Sequence, residues 1–379
     1  MVAEVHGSSD PRFDAMRGVM AGSLDSGDDV GASVAVMLNG EMVVDLWGGF
    51  TDEARTTPWK ADTITNVWSS TKTMMALSAL MLHSRGELDF DAPVAKYWPE
   101  FAANGKENVL VRHLLSHTSG VSGWDQPVEV ADIYDWEKST SMLAAQAPWW
   151  EPGTASGYHA LNQGHLVGEV IRRITGMKLG EFFRTQVAEV VGADFHIGLD
   201  PGAFGRIANV IPPPPLTIDF SALDPDTVAF KTFTGPRPSA ETAWTTEWRR
   251  ADIGAANGHG NARSMALVQS AISNGGVVNG QQLLSPSSID QIFREQARGI
   301  DQVLMMPMCF GIGYGLPSEL MPLPPGRRLC FWGGWGGSLV VNDLDNRMTF
   351  AFAMNKMGQG TVGDTRAFSL LMVVLAALG

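Results

Sequence analysis

The chain has 379 residues, 45% of them apolar and 18% charged, the composition of a globular protein with a sizeable core rather than a disordered one. Its formal net charge is −13, from 40 acidic and 27 basic side chains, which argues against a nucleic-acid backbone as partner. Two cysteines, Cys309 and Cys330, lack the spacing of a zinc site or redox pair and read as free thiols.

In chain order, the opening Met-Val-Ala-Glu-Val-His-Gly shows no basic segment followed by an apolar run, so a cytoplasmic location is expected. Residues 10–25 place Phe13, Met16, Val19, Met20 and Leu24 on one helical face. Ala32–Leu38 and Met42–Trp47 read as strands joined at Asn39-Gly40, a hairpin signal. Ser69 and Lys72 then open an apolar helix that Gly86 stops. Val111–Leu115 reads as helix, closed by Ser116-His117-Thr118-Ser119-Gly120. Helical periodicity returns from Tyr134 to Ala147, and again from Tyr158 to Ile174 before Gly176; Phe182 and Phe183 begin another helix.

Residues 210–250 contain the run Pro212–Pro215 together with Pro225, Pro236 and Pro238, which prevents long helices. Phe220, Phe230, Phe233, Trp244 and Trp248 make this segment a packed extension covering part of a cleft. Helices resume at 260–274 and 287–296. Strands are expected at Gly311–Leu316, Leu329–Trp332, Ser338–Asn342 and Met348–Asn355, with a closing helix from Arg366. Its apolar run, Phe368–Leu378, is shorter than the roughly 20 residues that span a bilayer, so no membrane is expected as partner. Strands at both ends with helices between them predict one antiparallel sheet built from both termini, with a helical insertion.

Three stretches carry chemistry. On a helix, residues three apart share a face, which sets the Lys72 ammonium beside the Ser69 hydroxyl. Burial there lowers the lysine pKa and makes it a proton acceptor, and a serine at a helix start offers its own N–H to negative charge. The plainer account is an N-capping serine and a lysine reaching out to water. Tyr158, after the Pro152-Gly153 turn, is placed to hold its hydroxyl over a cleft, although a half-buried tyrosine with a satisfied hydroxyl is commoner. Trp332-Gly333-Gly334 marks close approach by a ligand or another backbone, or else a tight turn between strands.

Taken together, Ser69-x-x-Lys72, Tyr158 and Trp332-Gly333-Gly334 resemble the three motifs of serine β-lactamase-fold enzymes, nearest to the family VIII carboxylesterases. Arg112–Gly120 and Glu151-Pro152-Gly153 are also similar to stretches common in that group, and the resemblance runs from about Ala32 to Asn355. It implies an α+β fold of the β-lactamase and penicillin-binding-protein type. A sheet unit from residues 1–68 and 260–379 and a helical unit from 69–259 would hold the active site between them.

The resemblance further implies Ser69, Lys72 and Tyr158 as catalytic residues, the N–H groups of Ser69 and Trp335 as oxyanion hole, and acyl transfer through an ester on Ser69. Which of Lys72 and Tyr158 is the base stays open at this stage. The second motif departs from Tyr-x-Asn, since Tyr158 is followed by His159 and Ala160, with Asn162 nearby. The third has Trp332 where β-lactamases carry a cation, which points from anionic amides towards neutral esters. Trp332, Gly333, Gly334 and Trp124 are therefore expected to meet substrate, with Trp136, Trp149, Trp150 and Trp335 bordering the same cleft.

A carboxylesterase for small neutral esters is the reading that follows. Its alternatives are an amidase, peptidase or acyltransferase on the same fold, or an inactive ligand-binding member. No Gly-x-Ser-x-Gly elbow supports a different serine esterase fold. Without His-Glu-x-x-His or a Walker loop, and with His113 and His117 read as structural, no metal or cofactor is expected. The oligomeric state is left open.

Overall fold

Strands from the two ends of the chain pair with one another, and that pairing sets where the three motifs meet. The computed structural model describes residues 4–215, 222–319, 321, 323–324 and 326–379, so Phe220 and Met1 to Ala3 lie outside the described residues. In chain order the elements used below begin with β1 (Val5–Ser9), α1 (Ala15–Ser26), β2 (Gly31–Leu38), β3 (Glu41–Gly49) and α2 (Thr71–Ser84). Then come α3 (Val111–Leu115), α4 (Trp136–Ala145), α5 (Gln163–Thr175), α6 (Val228–Phe233) and α7 (Ala262–Ser273). The chain finishes with β4 (Ala297–Ile300), β5 (Pro307–Phe310), β6 (Leu329–Gly333), β7 (Leu339–Asp343), β8 (Met348–Met354) and α8 (Thr365–Leu378).

The large sheet runs β1-β3-β2-β8-β7-β6, antiparallel throughout. The hairpin between β2 and β3 turns at Asn39 and Gly40, both at positive φ (54° and 82°), as a two-residue turn matched to strand twist demands. β2 and β8 are buried at every position, the pattern of strands covered on both faces. One cover is α7, which packs on β2, β7 and β8; α1 packs on β3 and against α8.

Helix α2 packs among other helices. Every side chain from Thr71 to Leu82 is buried, because α2 meets α5 on one side and α7 on another. A helix apolar all round is stable only in such a place. Its C-terminus is as the sequence suggests: Arg85 caps it and Gly86 follows at φ 74°. The closing apolar run also folds as expected, within α8, and among the described residues no helix is long and apolar enough to cross a membrane.

Two expected elements are different. The strand expected at Gly311–Leu316 is a turn: Gly311 N–H donates to Tyr314 O, Gly313 sits at φ 83°, and only Gly315 bridges to Phe310 and Phe331. The strand lies earlier, at β5. The helix expected to open at Tyr158 starts five residues later, at Gln163. Its would-be first N–H groups are taken by side chains, Tyr158 N–H by Asp301 Oδ1 and His159 N–H by His117 Nδ1.

Candidate active site

Ser69 lies in a single 3-10 turn, Trp68–Ser70, that leads into α2. Trp68 occupies the left-handed region at φ 47°, where a bulky side chain is strained. Its indole is held between Trp248 and Trp335, with ring centroids 5.4 and 5.0 Å away. The turn is also stitched to the sheet: Ser338 Oγ contacts Ser70 Oγ and donates to Val67 O, both at 2.8 Å.

Lys72 Nζ lies 3.2 Å from Ser69 Oγ and donates to the carbonyls of Ala160 (2.8 Å) and Ala255 (2.9 Å). The side chain is 2% exposed, and burial holds its pKa well below the ordinary lysine value. Ala160 is the position where the Tyr-x-Asn pattern has a side-chain amide; here the backbone carbonyl meets the lysine instead.

On the other side of Ser69, the Tyr158 hydroxyl donates to Oγ at 2.8 Å, and the Lys72 ammonium sits 4.8 Å from the phenol ring centroid. Burial raises the Tyr158 pKa well above that of a free phenol, and the hydrogen bond to Ser69 offsets part of that rise. The ring rests on His117 (4.9 Å) and Trp332 (5.4 Å). Tyr158, Val303, Met308, Phe310 and Trp332 form one buried apolar cluster, edged by Ala160, Val228, Phe233, Leu304, Met306 and Val362.

β6 ends beside the Ser69 turn because its glycines allow it. A Cβ on Gly334 would stand 2.2 Å from Val67 O, so the close approach is between two backbones. In the following turn Gly334 N–H goes to Ser338 O, Gly336 N–H to Gly360 O and Gly337 N–H to Gly334 O, and none of these bonds uses Trp335 N–H.

The family follows from comparison with known proteins: residues 16–372 match the sequence profile of the Beta-lactamase family. The chain belongs to that family. As a beta-lactamase-family member it is 33% identical over 369 residues to "Esterase/beta-lactamase LipL" of Mycobacterium tuberculosis, covering 93% of this chain and 83% of that protein. It superposes on a "family VIII carboxylesterase" crystal structure with TM-score 0.92 and 39% identity, over 99% of this chain and 100% of that one. A penicillin-binding protein homolog from Caulobacter crescentus gives TM-score 0.90 and 35% identity, with the same coverage.

In this beta-lactamase-family chain the structure brings together Ser69, Lys72, Tyr158 and Trp332, and sets Gly333, Gly334 and Trp335 at their edge. It does not bring Trp124. That residue is 5% exposed, its indole donates to Ser139 O at 3.1 Å, and its ring stands against His165. Trp136, expected to border the cleft, stacks on the other side of His165 and donates to Glu169, so both tryptophans belong to the helical core. Trp149 and Trp150 are half-buried nearer the surface, with indoles donating to Asp125 and Ala155. Asn162 is fully buried and donates to Val121 O.

His113 and His117 both act as acceptors from backbone N–H groups, of Leu110 and of His159. Sequence reasoning missed Asp301 and the carbonyls of Ala160 and Ala255. Carbonyls leave no trace in a sequence, and Asp301 lies 143 residues from the tyrosine it contacts.

Proposed function

We propose that this chain is a serine carboxylesterase that hydrolyses small neutral esters through an acyl-enzyme on Ser69. The observation that carries the reading is the shared oxygen: Ser69 Oγ is within hydrogen-bond reach of a buried amine and of a buried phenol. A neutral lysine has two N–H bonds and one lone pair. The carbonyls of Ala160 and Ala255 take the two N–H bonds, which leaves the lone pair for the Ser69 proton. Lys72 is therefore the base, and Tyr158, whose pKa burial raises, is the acid.

In acylation the Ser69 proton moves to Lys72, Oγ bonds to the carbonyl carbon, and the leaving alcohol takes the Tyr158 proton as the C–O bond breaks. The cation on Lys72, 4.8 Å from the ring centroid, offsets the phenolate left behind. In deacylation the phenolate takes a proton from water, the resulting hydroxide attacks the acyl carbon, and Ser69 Oγ recovers its proton from Lys72. The N–H groups of Ser69 and Trp335 receive the oxyanion in both steps; losing one such donor costs about 10²-fold or more.

Neutral substrates are supported by the apolar side chains packed around Tyr158 and Trp332, and by Trp332 standing where the β-lactamase pattern has a cation. The word esterase in the name of LipL, beside beta-lactamase, and the family VIII carboxylesterase both support ester hydrolysis. The residues 69–259 and the sheet portion would form the two sides of the cleft. The test is a panel of p-nitrophenyl esters beside nitrocefin, with wild type and Ser69→Ala. Ser69-dependent turnover of the neutral esters, well above that of nitrocefin, is expected. Preference for nitrocefin would replace the esterase with a lactam hydrolase.

A further inference from the structure

Asp301 is a buried carboxylate that Ser69, Lys72 and Tyr158 do not account for. It is 0% exposed, at the loop joining β4 and β5. Its Oδ1 accepts three backbone N–H groups, from Tyr158 at 3.0 Å and from Val303 and Leu304 at 2.9 Å. Its Oδ2 is buried with no hydrogen-bond partner among the described residues. Burying a carboxylate with one oxygen unpaired is costly, so its site must return something that an apolar residue would not. The loop around it is fixed by its own contacts: Asp301 N–H donates to Met306 O, Met305 N–H to Asp301 O, and Gln302 N–H to Ser156 O. Two hydrogen bonds therefore tie this loop to the 156–158 segment, one at Ser156 O and one at the Tyr158 N–H.

Tyr158 is held in no helix, so no helical ladder fixes its φ and ψ; locally, a bond between His159 Nδ1 and Gly157 O spans it at 2.6 Å. Further ties come from outside. On one side His117 accepts from the next residue, His159, at 3.1 Å, and supports the ring. On the other, Asp301 ties the Tyr158 N–H to the same loop that supplies Val303, Leu304 and Met306 to the apolar wall. We propose that Asp301 is a positioning residue for acyl transfer, fixing the Tyr158 backbone so that the phenol hydroxyl stays on Ser69 Oγ. It touches no reacting atom. The inference rests on the esterase reading above.

The test uses the full-length chain with Asp301→Ala and Asp301→Asn, each alone and Asp301→Ala also combined with Tyr158→Phe. The asparagine keeps an Oδ1 that accepts the same three N–H groups; the alanine keeps none. For Asp301→Ala, kcat on p-nitrophenyl butyrate is expected to fall about 10²-fold, the cost of a misplaced catalytic group, with KM within about threefold of wild type. Asp301→Asn is expected to stay within about tenfold of wild-type kcat. In the Tyr158→Phe background the alanine should cost less than about threefold more, since there is no hydroxyl left to position.

An Asp301→Ala enzyme within about threefold of wild-type kcat overturns the inference. So does an equal loss in Asp301→Asn, or a full further loss on top of Tyr158→Phe. If the alanine chain does not fold, Asp301→Ser, whose hydroxyl reaches fewer of the three N–H groups, takes its place with the same expectations. Wild-type turnover that does not depend on Ser69 would remove the esterase reading itself; Ser69-dependent turnover with an indifferent Asp301 variant removes only this inference.

Discussion

Among the described residues Lys72 has no carboxylate partner. Its three polar contacts are two carbonyls and one hydroxyl, and burial drives it towards the neutral form. That has a kinetic sign. The neutral amine is the active form, so kcat/KM should fall as pH drops through the Lys72 pKa and level off above it. The midpoint should lie below 10.5, the ordinary lysine value. Lys72→Met should lose this limb together with about 10²–10⁴-fold in rate; an unchanged limb would assign it to another group. Ser69 and Lys72 were legible because their relation is local, three residues along one helical turn. Tyr158 became legible only through the order of the three motifs. Trp124 was misplaced for a physical reason: tryptophan is as common in a core as in a cleft wall, and spacing does not tell which.

The third motif acts at the scale of an element. Two backbones meet where β6 reaches the Ser69 turn, and Gly334 is what lets them meet. Gly334→Ala places a methyl carbon 2.2 Å from Val67 O, so either the strand end or the turn must move. The expected result is a kcat loss of about 10²-fold in a chain that still folds, read against circular dichroism and Tm. Full activity would mean that the strand end does not fix the Ser69 turn. Most strands and helices were readable from periodicity. The exceptions, Gly311–Leu316 and the start of the helix after Tyr158, share a cause. In both places backbone N–H groups find partners that no local pattern announces: a turn carbonyl in one, remote side chains in the other.

Across the whole molecule, strands from both termini close one sheet, as the distribution of strand and helix signals along the chain implied, and α2 is buried among helices. The buried histidines were not foreseeable. Burial depresses His113 and His165 to about 4 and His159 and His259 to about 3, against 6.5 unfolded. A depressed folded pKa contributes stability above pH 6.5 that is lost as pH falls towards 3–4. Each such group adds a slope of up to about 1.4 kcal/mol per pH unit. Asp252, raised by burial to about 6, works in the opposite direction and offsets part of it. Urea midpoints should therefore fall between pH 7 and pH 5; a constant midpoint would contradict this balance. The central claim, that one shared oxygen does the chemistry, is tested most directly by labelling with a fluorophosphonate and mapping the adduct by mass spectrometry. The account predicts a single adduct on the peptide carrying Ser69, absent from Ser69→Ala, with p-nitrophenyl butyrate turnover lost in that variant. An adduct on another residue, or turnover that survives Ser69→Ala, would contradict it.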